Sequence, residues 1–342
     1  MQREAPHRAL NRARQRSHPA PRGGRTACCS FGMLRDAWPR MRRLINVGFV
    51  VLALGLLGWQ LQSLDTAQLA STLSRFPAYA LAVGAAFSAL SYAAYSSFDL
   101  LGRRYTRHRL ATRQVLALGF VSHAFALNLG AAGVGLRFRA YGQLGVKAAT
   151  VARLWLVCFV SNWLGFAVLA GLLLALQMSG APFGLDVSPA ALQAIGWALL
   201  CLAAGYFAVC AFSRVRAFTL FGQTLRLPSL RFALAQCVLS VLQWSFIAAG
   251  LFVLLQEAVP FLTVLGVLLV CATALAVIDV PGGLGVTEAV FIALLGGHLA
   301  LATLVSALLV YRLVYFAGPL LVAGFAWLGL ELRVAAARKP QP

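Results

Sequence analysis

Stretches of about 20 consecutive apolar residues, the length that crosses ~30 Å of hydrocarbon, recur along this 342-residue chain and constrain its fold more than any other feature. They run near 44–64, 78–98, 152–177, 190–212, 232–256 and 301–330. Lipid offers no hydrogen bonds, so a spanning backbone must satisfy its own polar groups, and each stretch reads as a membrane-crossing helix. Composition agrees. The chain is 61% hydrophobic and 11% charged, with a mean hydropathy of +0.81; soluble domains hold roughly 45–50% and about 25%. That leaves too little polar surface to face water, and far too much apolar sequence for disorder. The net charge of +20 would suggest nucleic acid in a soluble protein; here the cations must first be placed relative to the spans.

Two further apolar regions, 114–146 and 261–298, are interrupted: the first by Gly130, Gly133 and Gly135, the second by Pro281, Gly282, Gly283 and Gly285. Such residues leave backbone groups unpaired, which lipid does not tolerate unless protein or a watery cavity covers them. Both regions read as re-entrant helical hairpins. The fold class expected is an all-α polytopic membrane protein with about six full spans and two such hairpins. Because the hairpins open to opposite sides and stand in comparable places in the two halves, the pattern points to an inverted repeat with a midplane site.

The cations test this topology. Of 29 Lys and Arg, all but Arg75 and Arg312 fall in 1–43, 103–113, 137–153, 214–231 or after the last span. Short basic loops stay cytoplasmic, and two hairpins that return to their side of origin put all five clusters there, with both termini cytoplasmic. Residues 1–43, rich in Arg, Pro and Gly, read as a disordered basic tail. The segment 44–335 is then the transmembrane domain and 336–342 a short cytoplasmic tail. Arg42 and Arg43 precede a long apolar run with no small-residue cleavage site, so that run is expected to be an uncleaved anchor. The seven cysteines fit no metal-ligand spacing and read as small hydrophobes. No metal or cofactor is expected.

Few polar residues remain inside the spans, and intramembrane ionisable groups mark a pathway or a pair. The main ones are His123, Asn128, Asn162, Asp279, Glu288, His298 and Arg312. Arg312, beside Tyr311 in the last span, either forms an ion pair with Asp279 or Glu288 that locks the second hairpin, or anchors an anionic headgroup; the two are compatible. His123, His298 and Asn162 are expected to make interhelical hydrogen bonds. Helix restarts after Gly133 and Gly135, and after Pro281, Gly282, Gly283 and Gly285, would give a phosphate close access to backbone N–H groups. Arg137 and Arg139 follow the first break and could neutralise an anion. Glu288 follows the second in a new first turn, where its charge suits the helix dipole.

The segment Asp279-Val280-Pro281-Gly282-Gly283-Leu284-Gly285-Val286-Thr287-Glu288-Ala289 resembles the signature of the lysylphosphatidylglycerol synthase/flippase transmembrane-domain family. That family includes the membrane half of the multiple peptide resistance factors and the YbhN-like proteins. Leu136-Arg137-Phe138-Arg139-Ala140-Tyr141 resembles its first re-entrant segment, and Tyr311-Arg312 followed by Pro319 resembles its last helix. The resemblance covers about residues 40–335 and implies two re-entrant hairpins and a role in moving or handling lipids. The soluble aminoacyl transferase domain of the synthases is not expected, because the chain ends shortly after the last span.

The reading that follows is a bacterial inner-membrane flippase, not an enzyme, that translocates or handles a polar lipid, anionic or aminoacylated, or a lipid-linked intermediate. Arg137, Arg139, Arg312 and Tyr311 would hold the headgroup, while Glu288 and Asp279 would take a cationic group or balance Arg312. Its partner is a membrane lipid rather than nucleic acid, with a homo-oligomer compatible. A membrane-embedded lipid-modifying transferase and a non-transporting structural subunit are the alternatives. Against the transferase stands the lack of a carboxylate cluster for Mg²⁺ or of a nucleophile paired with a base.

Overall fold

The structure, a computed structural model, describes residues 76–178, 188–220, 223–277 and 280–336, all within the unit Ala53–Pro342. The basic tail 1–43, the span 44–64, Asp279 and the C-terminal tail beyond 336 lie outside the described residues.

Five described helices are long and apolar enough to cross a bilayer, and they coincide with the expected spans. They are α1 (Ala78–Thr106), α4 (Ala148–Ala175), α5 (Pro189–Phe212), α6 (Leu230–Leu254) and the composite helix Leu301–Leu332. Local chemistry marks their starts: Ser188 and Ser229 cap α5 and α6 by accepting from the Ala191 and Phe232 N–H groups, and Pro189 takes the first-turn position where its missing N–H costs nothing. Small residues set how closely helices approach, as membrane packing requires. A Cβ on Gly165 of α4 would stand 2.3 Å from the Ser240 Oγ of α6, and one on Gly196 of α5 would stand 2.3 Å from the Ala175 nitrogen of α4. Helix α5 packs chiefly on α4 and leaves Trp197, Leu202 and Phe212 exposed, a face suited to lipid.

Both interrupted regions fold as helical hairpins. In the first, α2 (Thr112–Leu129) packs against α3 (Ala131–Gln143). The break falls at Gly130, whose φ of 56° and ψ of −129° suit glycine. Gly133 and Gly135, expected at the break, lie inside α3 instead. Gly133 has a separate reason to be small, since a Cβ there would sit 2.4 Å from the Ala126 Cα and lock the two arms apart; around Gly135 there is open space. In the second hairpin, α7 (Phe261–Val277) leads to a short 3₁₀ turn at Pro281–Gly283 and then α8 (Val286–Leu295). Here the break is where expected, with Gly282, Gly283 and Gly285 all at positive φ.

Two tertiary contacts fix the polarity of the bundle. The Tyr105 hydroxyl at the end of α1 donates to the Arg226 carbonyl at 2.7 Å, and Gln143 at the end of α3 donates to Glu331 near the end of the last helix. The loops carrying Arg103–Arg113, Arg137–Arg153 and Arg214–Arg231 therefore share one end, the basic end. The first hairpin opens to that end. The second runs between the close of α6 and the start of α9 (Leu301–Tyr311) and so opens to the other. One addition to the helical expectation lies at the basic end, where β1 (Ala217–Leu220) pairs antiparallel with β2 (Gln223–Arg226).

The last span is not a continuous α-helix. Between α9 and α10 (Gly318–Ala336) the segment Arg312–Ala317 winds as a π-helix, and the Gly318 N–H reaches back to the Leu313 carbonyl. Pro319 supplies no N–H, so the Val314 and Tyr315 carbonyls lose their helical donors. Helix α1 replaces both: Ser88 Oγ donates to Val314 at 3.2 Å and the Tyr92 hydroxyl donates to Tyr315 at 3.0 Å. The bulge is thus welded to α1.

Candidate functional site

Along α1, Gly84, Ser88, Ser91, Tyr92, Tyr95, Asp99 and Gly102 recur at spacings of three and four and form one inward stripe. Both hairpins and the π-segment gather against it or its neighbours. Around them sit two ion pairs, one buried and one half-buried, and, between the pairs, a cavity.

The first pair joins Arg137 of α3 to Asp99 of α1, 3.1 Å apart, with Asp99 fully buried. The Tyr141 hydroxyl donates to the other Asp99 oxygen at 3.0 Å, and Arg137 Nη1 donates to Cys158 Sγ at 3.2 Å. Helix α2 leaves room for the carboxylate through Gly119, where a Cβ would stand 2.6 Å from Asp99 Oδ2. Arg137, expected to hold a headgroup, is thus engaged inside the protein. Arg139 faces Glu331, 3.7 Å away at the basic end. Beside this cluster but outside the spanning segments, His108 packs edge-on to the Tyr141 ring. Burial and then the Arg103 guanidinium hold its pKa below the ordinary value, so it adds no charge at neutral pH.

The second pair is the expected one between Arg312 and Glu288. Arg312 also donates to the Gly282 and Gly283 carbonyls, each at 3.1 Å, and its guanidinium carbon lies 5.9 Å from the Phe316 ring centre. Glu288 turns back to accept the Gly285 N–H at 3.0 Å. At the second break, then, the Gly285 N–H and the Gly282 and Gly283 carbonyls are satisfied by the protein's own charges. Asp279, the other candidate partner, lies outside the described residues.

Between the pairs lies a cavity of about 260 Å³. The first hairpin lines it with His123 and Ala126, the second with Ala272 and Thr287, and the surrounding helices with Tyr95, Asn162, Gln243, Tyr311 and Tyr315. It lies at mid-depth, because Asn162 and Gln243 stand halfway along α4 and α6. His123 stacks on Tyr95 with ring centres 3.4 Å apart, and Tyr311 stacks on Tyr315 at 5.2 Å. Two buried polar atoms of residues lining the cavity, His123 Nε2 and Gln243 Oε1, have no hydrogen-bond partner among the described residues. Such an atom carries a desolvation penalty of ~1–3 kcal/mol, so two at one cavity mark a place prepared for something polar.

The interhelical bond expected of His123 is not made by its Nε2 among the described residues. His298 is exposed in the connection between α8 and α9, away from any such role. At Asn162 the backbone carbonyl does the joining, accepting from Ser240 Oγ and Trp244 Nε1. Sequence reasoning missed Asp99, Tyr141 and Gln243. The spacing from Tyr95 to Asp99 on α1 was the available signal for the first.

No protein-family model matches the chain. Individual relatives do: "Inner membrane protein YbhN" of Escherichia coli (strain K12) is 36% identical over 297 residues, which cover 86% of this chain and 93% of the relative. The chain belongs to the YbhN family. A second relative, slr0712 of Synechocystis sp., is 26% identical over 307 residues, covering 86% of this chain and 94% of its own length. Both matches take in most of either partner, so the family likeness concerns the whole membrane architecture and not one motif. This YbhN-family chain is a polytopic helical membrane protein.

Proposed function

We propose that the chain is an inner-membrane protein of flippase type that holds or translocates a polar lipid, with the headgroup in the cavity between the two hairpins. The observation that carries the proposal is this mid-depth cavity with unpartnered His123 Nε2 and Gln243 Oε1 at its wall. A volume of about 260 Å³ falls below the ~300–1,000 Å³ of sites that enclose a whole drug-sized ligand. It suits a headgroup whose acyl chains stay outside. The four charges of the two ion pairs are engaged with each other and do not line the cavity, so the headgroup is met there by the polar wall groups His123, Asn162, Gln243, Thr287, Tyr311 and Tyr315. The resemblance to the synthase/flippase family supports an anionic or aminoacylated phospholipid as the class. The opposite openings of the hairpins suit alternating access around a fixed midplane site, with the basic end on the cytoplasmic side as the positive-inside rule favours.

Purified protein in liposomes is expected to redistribute labelled phosphatidylglycerol or its lysyl ester between leaflets without altering the lipid's mass. Gln243→Leu and His123→Phe each remove a polar wall group worth about 1 kcal/mol. Each is expected to slow redistribution about fivefold while unfolding temperature changes little. A chemically altered lipid would favour the transferase. No redistribution of any headgroup tested would leave only a structural subunit.

A further inference from the structure

At the basic end lies a second cavity of about 580 Å³. Arg104 and Arg107 line it from the end of α1, Arg153 from the start of α4 and Arg226 from the end of β2. Among the described residues no carboxylate pairs with any of the four; the ion pairs there use Arg137, Arg139 and Arg312. The only side-chain hydrogen bond the four make to described residues is from Arg153 Nε to the Ala149 carbonyl of its own helix, at 3.3 Å. Arg104, Arg107 and Arg226 are exposed and Arg153 is half-buried; four cations from three separate chain segments around one opening give it a positive potential that favours an anion between them. It is also a held arrangement. The Tyr105 hydroxyl, which donates to the Arg226 carbonyl, accepts from the Arg226 N–H at 2.9 Å, and the Tyr105 ring packs on Phe232 at 6.1 Å. The wall beyond Arg226 is the start of α6, where Ser229 and Phe232 line the cavity and the positive end of the helix dipole adds to the field.

We propose that this cavity binds a phosphate group, carried either by a lipid headgroup of the adjoining leaflet or by a free phosphate ion. Guanidinium forks grip phosphate oxygens two at a time, and the cavity lies where the helices end, at headgroup depth. The site is separate from the mid-depth cavity and stands or falls without it.

The test uses the purified full chain in nanodiscs of phosphatidylcholine, of phosphatidylcholine with phosphatidic acid, and of phosphatidylcholine with inorganic phosphate in the buffer. Unfolding temperature is read in all three, and lipid retention by native mass spectrometry in the second. Phosphatidic acid, inorganic phosphate or both are expected to stabilise the wild type, and Arg104→Gln/Arg226→Gln to weaken the response about tenfold. Arg109→Gln/Arg214→Gln, at the same end but outside the cavity, is expected to respond as wild type does. A response to phosphatidic acid alone assigns the site to a headgroup; a response to inorganic phosphate assigns it to the free ion. If the Arg104/Arg226 variant does not fold, Arg107→Gln/Arg153→Gln makes the same comparison. Equal losses in the cavity and control variants, or no stabilisation by either phosphate source, would overturn the proposal.

Discussion

Arg137→Leu is expected to destabilise the protein by ~3–5 kcal/mol, the cost of leaving a buried charge without its partner. Asp99 is the reason. It is fully buried, and its compensating charge is the guanidinium 3.1 Å away. Without Arg137 the carboxylate keeps only neutral partners, the Tyr141 hydroxyl and the Cys158 thiol, which do not balance a charge in a low-dielectric interior. Asp99→Leu is expected to cost about as much, by stranding Arg137 with only Cys158 Sγ as a partner. The double variant Asp99→Leu/Arg137→Leu removes both charges and replaces them with apolar side chains, and replacing a whole buried pair is often close to neutral. It is expected to recover most of the loss. Thermal unfolding in detergent measures all three, and a double variant no better than the single ones would show that the two residues are not coupled.

Arg312→Ala is expected to do comparable damage, but with a different pattern of rescue. Arg312 serves three partners: Glu288 and the carbonyls of Gly282 and Gly283. Its loss leaves Glu288, a half-buried carboxylate that water can partly solvate, without a counter-charge, at less than the ~3–5 kcal/mol of a fully buried ion. It also leaves two carbonyls of the broken helix without donors, at ~1–3 kcal/mol for each that stays buried and unsatisfied. Glu288→Leu, by contrast, leaves Arg312 two backbone acceptors and strands only the Gly285 N–H. The double variant Arg312→Ala/Glu288→Leu removes the unpaired charge and still leaves the carbonyls without donors. Only part of the loss is then recovered, unlike the Asp99–Arg137 case. Unfolding temperatures of both sets in one detergent make the comparison. Full recovery in the second double variant would show that the pair is a simple charge balance and that Arg312 is not what closes the break.

The difference between the pairs also explains what sequence could reveal. Arg312 is the lone cation of an apolar span, and Glu288 follows Gly285 at the third residue of a restarting helix. Each is conspicuous alone, and their pairing follows from the shortage of other partners. Asp99 is not conspicuous, because it falls one residue past the apolar run drawn at 78–98, where a carboxylate reads as headgroup-facing; α1 in fact continues to Thr106 and carries it inward. The first hairpin was legible from its glycines but its break was not. Gly130, Gly133 and Gly135 look equivalent in sequence, and only the backbone shows that Gly130 turns the chain while Gly133 admits Ala126. The π-segment had one local signal, Pro319, with no indication of which residues would accept the freed carbonyls. The mid-depth cavity had none. It is made by side chains on helices far apart in sequence, and an apolar span with a single Gln or His looks the same whether that group is bonded or bare.

The central claim is that a lipid headgroup reaches mid-depth between the hairpins, where ordinary bilayer lipids place only acyl chains. A phospholipid with a photoreactive diazirine on its headgroup, mixed into liposomes that contain the protein, tests this directly by mapping the crosslinked peptides. The account predicts adducts on the α2 segment around His123 and the α6 segment around Gln243, competed away by unlabelled lipid of the same headgroup and reduced in Gln243→Leu. Headgroup adducts confined to the helix ends, with the cavity segments labelled only by an acyl-chain probe, would contradict it.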